Sequence, residues 1–161
     1  YGFQSHLAKT YKEEFELDQN LSPYFNGLDE TSYFNLLREV LIGDYQAHEV
    51  ALMEIDASNQ KTAIDFLVTA KKIGIKILSL SDIKQIEKQL FYEENGNQIQ
   101  LKRIYNRLIF DEIGENTEVF KASFDPREEL DIEWITHPNW FYRISKYTMP
   151  FLKSKFVPEK T

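Results

Sequence analysis

The sequence predicts an α/β domain with a small, mainly parallel sheet flanked by helices, plus a β-hairpin. Two segments carry this prediction. Residues 49–82 run from an apolar strand-like segment through an amphipathic helix to a second apolar segment, and residues 90–101 place Asn-Gly between two strand-like runs. A strand–helix–strand unit implies parallel strands joined by a right-handed crossover. Asn-Gly is the strongest short signal for a two-residue hairpin turn.

Two helices are expected before this unit. Residues 3–16 carry an apolar stripe at four-residue spacing, which is typical of a helix docked along one edge. A second helix is predicted to begin at a cap formed by Asp29 or Thr31 and to end at Gly43.

In the strand–helix–strand unit, residues 50–55 and 75–80 are the expected parallel strands, and Gly74 is expected to end the helix between them. Spacings of three and four predict that Phe66, Leu67 and Ala70 face the sheet. Asp56, directly after the first strand, is interpreted as a helix cap.

After the hairpin, its second strand is expected to continue through residues 103–106. Residues 131–135 are predicted to form another strand. A helix is expected to open at His137 and Pro138 and to run through Tyr147, because proline is favoured at the first helical position.

Length, composition and net charge limit the kinds of chemistry and partner that the chain can have. The 161 residues suit one domain, spanning 1–161, and the lack of cysteine excludes disulfides and thiolate chemistry, which fits the cytoplasm. No apolar run is long enough to cross a bilayer, so no membrane partner is expected. The net charge of -7 argues against a nucleic-acid partner. From its first and last residues, Tyr1 and Thr161, we expect a piece of a longer protein.

The sharpest polar cluster lies in residues 102–107. Strand alternation places Arg103, Tyr105 and Arg107 on one face, with Ile104 on the other. Two guanidiniums and a phenol on one face suit a carboxylate or phosphate held by paired hydrogen bonds. The alternative is a solvated edge strand whose arginines pair with surface acids.

A second cluster, formed by Asp56, Ser58 and Asn59, follows the first strand. Ligands of open α/β sheets bind outside such strand ends, so these three residues are candidate substrate contacts. Glu54 shares a strand face with Asp56, and this pair could bind Mg²⁺ or move a proton. His137 is a candidate ligand contact or general base, with a helix cap as the alternative.

Four segments together resemble a known family: Phe-Gln-Ser-His-Leu at 3–7, Ala-Leu-Met-Glu-Ile-Asp at 51–56, Lys-Arg-Ile-Tyr-Asn-Arg at 102–107, and His-Pro-Asn-Trp-Phe-Tyr-Arg-Ile-Ser-Lys at 137–146. They are similar to the N-terminal part of bacterial glutathione synthetase and glutathionylspermidine synthase-like proteins, which belong to the ATP-grasp-like group. The resemblance runs from about Phe3 to Phe151.

The resemblance implies a Rossmann-like, pre-ATP-grasp domain that binds a substrate. The family's Tyr-x-Arg pattern matches Tyr105-Asn106-Arg107, which makes Arg107, and then Arg103, the expected partners of a substrate carboxylate. The family binds its nucleotide with a pair of lysines on strands and binds Mg²⁺ with acidic and asparagine residues late in the sequence. Neither group of residues can be placed in this chain. We therefore expect no cofactor here, ATP and Mg²⁺ in the full-length protein, and the ATP-grasp half of the same polypeptide as partner.

The expected function is the substrate-binding part of an ATP-dependent carboxylate–amine ligase, inactive in isolation. Two alternatives stay open at this point. One is a non-catalytic ligand-binding or protein-interaction domain, and the other is a small metal-dependent enzyme that uses Glu54 and Asp56.

Overall fold

The computed structural model describes residues 2–108, 118, 123–126 and 128–137. Within these residues the chain forms three α-helices: α1 (Gly2–Glu14), α2 (Glu30–Ile42) and α3 (Ala63–Ile73). The strands of the same residues are β1 (Val50–Glu54), β2 (Lys76–Ser79), β3 (Lys84–Ile86), β4 (Gln89–Glu94), β5 (Asn97–Leu101), β6 (Arg103–Asn106) and β7 (Glu133–Ile135). None of the described helices is long and apolar enough to cross a membrane.

The strands form two sheets, which confirms the predicted α/β class. The larger sheet has the order β2-β1-β6-β7, and every neighbouring pair is parallel. The smaller sheet, in the order β3-β4-β5, is antiparallel.

Strand β1 is buried on both of its faces. Its residues Val50, Ala51, Leu52 and Met53 are all almost fully inaccessible to solvent. Val50 and Leu52 pack with residues of α2 and α3, whereas Ala51 and Met53 pack with residues of the antiparallel sheet. The parallel sheet is therefore the middle layer between the helices and the antiparallel sheet. A strand covered on both faces reads as a continuous apolar run, as the sequence here does.

Helix α3 covers the parallel sheet with Phe66, Ala70 and Ile73, which are all buried. The prediction that Leu67 also faces the sheet is wrong, since this side chain is 61% exposed. The reason is the position of α1, whose Gly2 donates from its backbone nitrogen to Thr69 Oγ1 at 3.0 Å. Contact with α1 buries Thr69 and so turns the position of Leu67 toward solvent.

Residues at the ends of α2 and α3 explain where these helices begin and end. Asp29 caps α2 by accepting from the Ser32 backbone nitrogen at 2.8 Å, while Ser32 Oγ accepts from the Asp29 nitrogen at 2.9 Å. Gly43 and Gly74 end α2 and α3 with φ values of 62° and 91°. These positive values lie in the region that glycine adopts most readily.

The predicted hairpin is confirmed as β4 and β5. Its turn residues Asn95 and Gly96 have φ values of 51° and 76°, as a two-residue type I′ turn requires. The prediction that the second hairpin strand continues through residues 103–106 is wrong. At Lys102, whose nitrogen donates to the Glu49 carbonyl at 2.8 Å, the chain leaves the hairpin, and β6 then joins the parallel sheet beside β1.

The later part of the chain is described as far as His137. The predicted strand at 131–135 is present as the shorter β7, which pairs with β6. The helix expected from Pro138 onward lies outside the described residues.

Candidate functional site

A cleft opens near the carboxyl ends of β1 and β6. From β1 the chain moves to β2 on one side, and it later returns to β6 on the other side of β1. The two strands therefore form a topological switch point, where open α/β sheets commonly bind ligands.

The cleft has a volume of about 570 Å³, which falls in the range of small-molecule sites. Its walls come from α1, the loop before α2, the first turn of α2, the start of α3 and the residue that follows β6. They are formed by Gln4, Ser5, Pro23, Tyr24, Phe25, Asn26, Leu28, Tyr33, Thr62, Asp65 and Arg107.

Arg107 is the predicted site residue that the structure brings to this cleft. Its backbone nitrogen donates to the Met53 carbonyl at 3.0 Å, which holds the residue at the end of β6. Its guanidinium carbon lies 4.9 Å from the centroid of the Phe66 ring, a cation–π arrangement. Among the described residues, no hydrogen-bond acceptor or carboxylate pairs with this half-buried guanidinium.

Arg103, Tyr105 and Arg107 share one face, with Ile104 on the other, as predicted. The structure shows that the first face looks toward the helices and the second toward the antiparallel sheet. The three side chains do not converge on one point, however. Arg103 lies four residues before Arg107, a separation of roughly 13 Å along a strand. Tyr105 is buried between them in the core.

At its own end of β6, Arg103 has a structural partner. Its Nη2 lies 3.2 Å from Glu133 Oε1 on β7, and its guanidinium packs against Gly43 at the end of α2. Glu133 also accepts a hydrogen bond from Tyr45, which raises the pKa of that phenol. The alternative of a solvated edge strand is wrong, because β6 lies between β1 and β7. Its other part, arginines that pair with surface acids, holds for Arg103, since Glu133 is exposed.

Asp56, Ser58 and Asn59 form a tight turn. Asp56 Oδ1 accepts from the Ser58 hydroxyl at 2.7 Å and from the backbone nitrogens of Ser58 and Asn59, and Oδ2 accepts from the Asn59 side chain. Hydrogen bonds from Ser58 and then Asn59 lower the pKa of Asp56. The prediction that Asp56 caps α3 is wrong, since Thr62 directly precedes that helix.

This turn borders a second depression rather than the Arg107 cleft. Ala57 and Ser58 line a cavity of about 430 Å³ together with Ser79 and Asp82, near the ends of β1 and β2. Phe66 lines this cavity and also carries the Arg107 guanidinium, so it lies between the two features.

The other candidate residues, Glu54 and His137, do not line the Arg107 cleft. Glu54 is buried at the end of β1, and no group of three His, Asp or Glu side chains suited to a metal ion occurs in the described part of the chain. His137 is half-buried, with its ring edge-on to Trp134 at 5.4 Å between centroids.

Sequence reasoning missed most of the cleft wall. Tyr24 and Phe25 lie in the loop before α2, and Thr62 and Asp65 lie at the start of α3. The available signal was Pro23 and Asn26-Gly27, which mark that segment as a loop, because binding residues are concentrated on loops held by a rigid scaffold.

Comparison of the chain with protein-family models and with curated proteins found no match.

Proposed function

We propose that this domain binds a small molecule through a carboxylate held by Arg107, as the substrate-binding part of an ATP-dependent carboxylate–amine ligase-like protein. The observation that carries the proposal is the half-buried Arg107 guanidinium in the cleft, which lies over the Phe66 ring and has no carboxylate partner among the described residues. A planar guanidinium binds a carboxylate through two parallel hydrogen bonds.

Partial burial strengthens this interaction. A charge pair away from bulk water is less screened than one on an open surface. Contact with the Phe66 ring restrains the guanidinium, so less side-chain freedom is lost when a ligand binds.

The charges of the cleft favour a singly charged acid. Among the described residues that line it, Arg107 is the one cation and Asp65 the one carboxylate. Asp65 Oδ1 accepts from the Phe3 nitrogen at 3.1 Å, so this charge also stabilises the first turn of α1. Such a lining suits one carboxylate and disfavours a polyphosphate, which attracts clustered cations.

The wider role rests on the resemblance to the glutathione synthetase-like group. In ligases of that kind the substrate carboxylate is activated as an acyl phosphate, which an amine then attacks. ATP and Mg²⁺ would be held by the ATP-grasp half of the polypeptide, and the domain described here would position the acid. A non-catalytic ligand-binding role would use the same cleft without that partner.

Titrations with matched acid and amide pairs test the binding role. Glutathione, which the resemblance suggests, and a set of N-acetyl amino acids would be compared with their carboxamides by calorimetry and by NMR shifts. We expect the acids to bind more tightly than the amides. Arg107→Lys should remove most of this preference, because an ammonium lacks the planar fork.

Arg38→Lys provides the matched control. Arg38 donates to the carbonyls of Ile73 and Lys72 at the end of α3, and it does not line the cleft. This variant should retain the acid preference. Equal affinity of acids and amides for the unmodified chain would overturn the proposed function.

A further inference from the structure

We infer that the ligand of the Arg107 cleft carries an aromatic ring, or a flat apolar group of similar size, beside its carboxylate, and that Tyr24 and Phe25 cover this group. The inference rests on the proposed function for the carboxylate end of the ligand. It adds the chemical class of the rest of the molecule.

The first observation is the aromatic wall of the cleft. The rings of Tyr24 and Tyr33 lie 5.2 Å apart between centroids, at an angle of 39°. The Tyr24 hydroxyl forms a hydrogen bond with the Ser5 hydroxyl, so its phenol oxygen already has a partner. What Tyr24 offers a ligand is therefore mainly the apolar surface of its ring, next to Pro23 and Leu28.

The second observation is Phe25, which lines the cleft and is 84% exposed. Asn26 and Gly27 follow it with φ values of 55° and 74°, a turn that is typical of these two residue types. A phenyl ring this exposed gains from any apolar group that covers it, because apolar surface is then removed from water.

The third observation is how the two ends of the cleft differ. Arg107 supplies the positive charge, and the aromatic residues of the loop before α2 supply apolar surface. A bare carboxylate would leave most of the volume of about 570 Å³ unfilled. An aromatic acid meets both requirements, since aromatic rings gain from offset or edge-to-face contact with other rings.

An aromatic acid would use the apolar wall of the cleft, whereas a hydrophilic peptide would not. A polar chain in the cleft would leave Phe25 in water and would gain little from the Tyr24 ring. The inference therefore predicts selectivity within the acids, which the acid–amide preference alone does not require.

Two matched pairs of probes test the inference on the full chain. N-acetylphenylalanine and N-acetylalanine would each be titrated by calorimetry beside their carboxamides. The phenylalanine acid should bind at least about tenfold more tightly than the alanine acid, the size of effect expected for one well-packed aromatic group. Phe25→Ala should reduce this ratio to within about threefold and keep the preference for acids over amides.

Phe15→Ala is the control, because Phe15 is also a largely exposed phenylalanine and it does not line the cleft. This variant should retain the full ratio between the two acids. If the two acids bind equally while acids still exceed amides, the inference fails and the carboxylate role stands. A ratio that survives Phe25→Ala overturns the assignment of Phe25. Equal binding of acids and amides, or no binding of any probe, overturns both proposals.

Discussion

Phe66 joins the core of the molecule to its candidate site. The side chain is buried among residues of β1, α2 and α3, and one ring face carries the Arg107 guanidinium. A residue that supports both packing and the placement of a charged group should be sensitive to truncation.

Phe66→Ala should lower the free energy of unfolding by about 3–5 kcal/mol, because it removes a buried ring and leaves a cavity. Leu67→Ala is the control on the same helix, and since Leu67 is exposed it should change stability by less than about 0.5 kcal/mol. Urea unfolding of both variants gives the comparison. A large loss for Leu67→Ala with none for Phe66→Ala would contradict the described orientation of α3.

The residues of α3 also show where sequence periodicity fails. Phe66 and Ala70 were identified correctly, because a helix that covers a sheet repeats its apolar side chains at three and four residues. Leu67 fits the same pattern. The buried face of α3 extends instead toward Thr69, which contacts α1, and that contact joins residues far apart in sequence.

At the scale of elements, helix α2 depends on its first residues. The Asp29 carboxylate accepts hydrogen bonds from the Ser32 side chain and backbone, and these lower its pKa below the ordinary value of 3.8. Since the folded pKa is the lower one, the contribution of the ionised group to stability is complete above pH 3.8 and is lost as the pH falls below it.

Asp29→Asn should isolate this contribution, because asparagine caps helices well but does not titrate. The unmodified chain should have the higher urea midpoint near neutral pH, and its advantage should shrink as the pH falls below 3.8. Thermal and urea unfolding at several pH values provide the measurement. An advantage that stays constant on acidification would show that the charge of Asp29 contributes nothing to the cap.

The hairpin and β6 mark the limit of sequence reasoning at this scale. Asn95-Gly96 predicted the hairpin correctly, since its turn conformation depends on two adjacent residues. The sequence of β5 passes into β6 with only Lys102 between them. The change of sheet depends on pairing with β1, which lies far away along the chain, so local pattern alone did not separate the two strands.

At the scale of the whole molecule, the Arg107 cleft brings together segments that are distant in sequence. The aromatic loop before α2, the start of α3 and the end of β6 meet only when the three layers are assembled. The rule for parallel strand ends pointed to this edge of the sheet, where the Arg107 cleft lies. It could not select the β1–β6 side over the β1–β2 side, because β6 had not been placed.

The chain of residues 1–161 should neither bind ATP tightly nor ligate a carboxylate to an amine. Its cleft presents one cation beside one carboxylate among the described lining residues, which is poorly matched to a triphosphate. Calorimetry with Mg²⁺–ATP and an assay for ADP release would measure both properties. Micromolar affinity for ATP would contradict the proposed division of labour between this domain and an ATP-grasp half.

The antiparallel sheet has a further consequence for how the molecule folds. Val50 pairs with Arg103, and the long segment between them contains α3, β2 and the strands β3 to β5. Closing so long a loop in one step is entropically costly and slow. Because neighbouring strands β3, β4 and β5 pair locally, they can form first and shorten the effective distance that β6 must search to reach β1. The small sheet would then form before β6 pairs with β1 and would speed that pairing. Weakening its turn at Asn95-Gly96 should therefore slow folding more than it speeds unfolding.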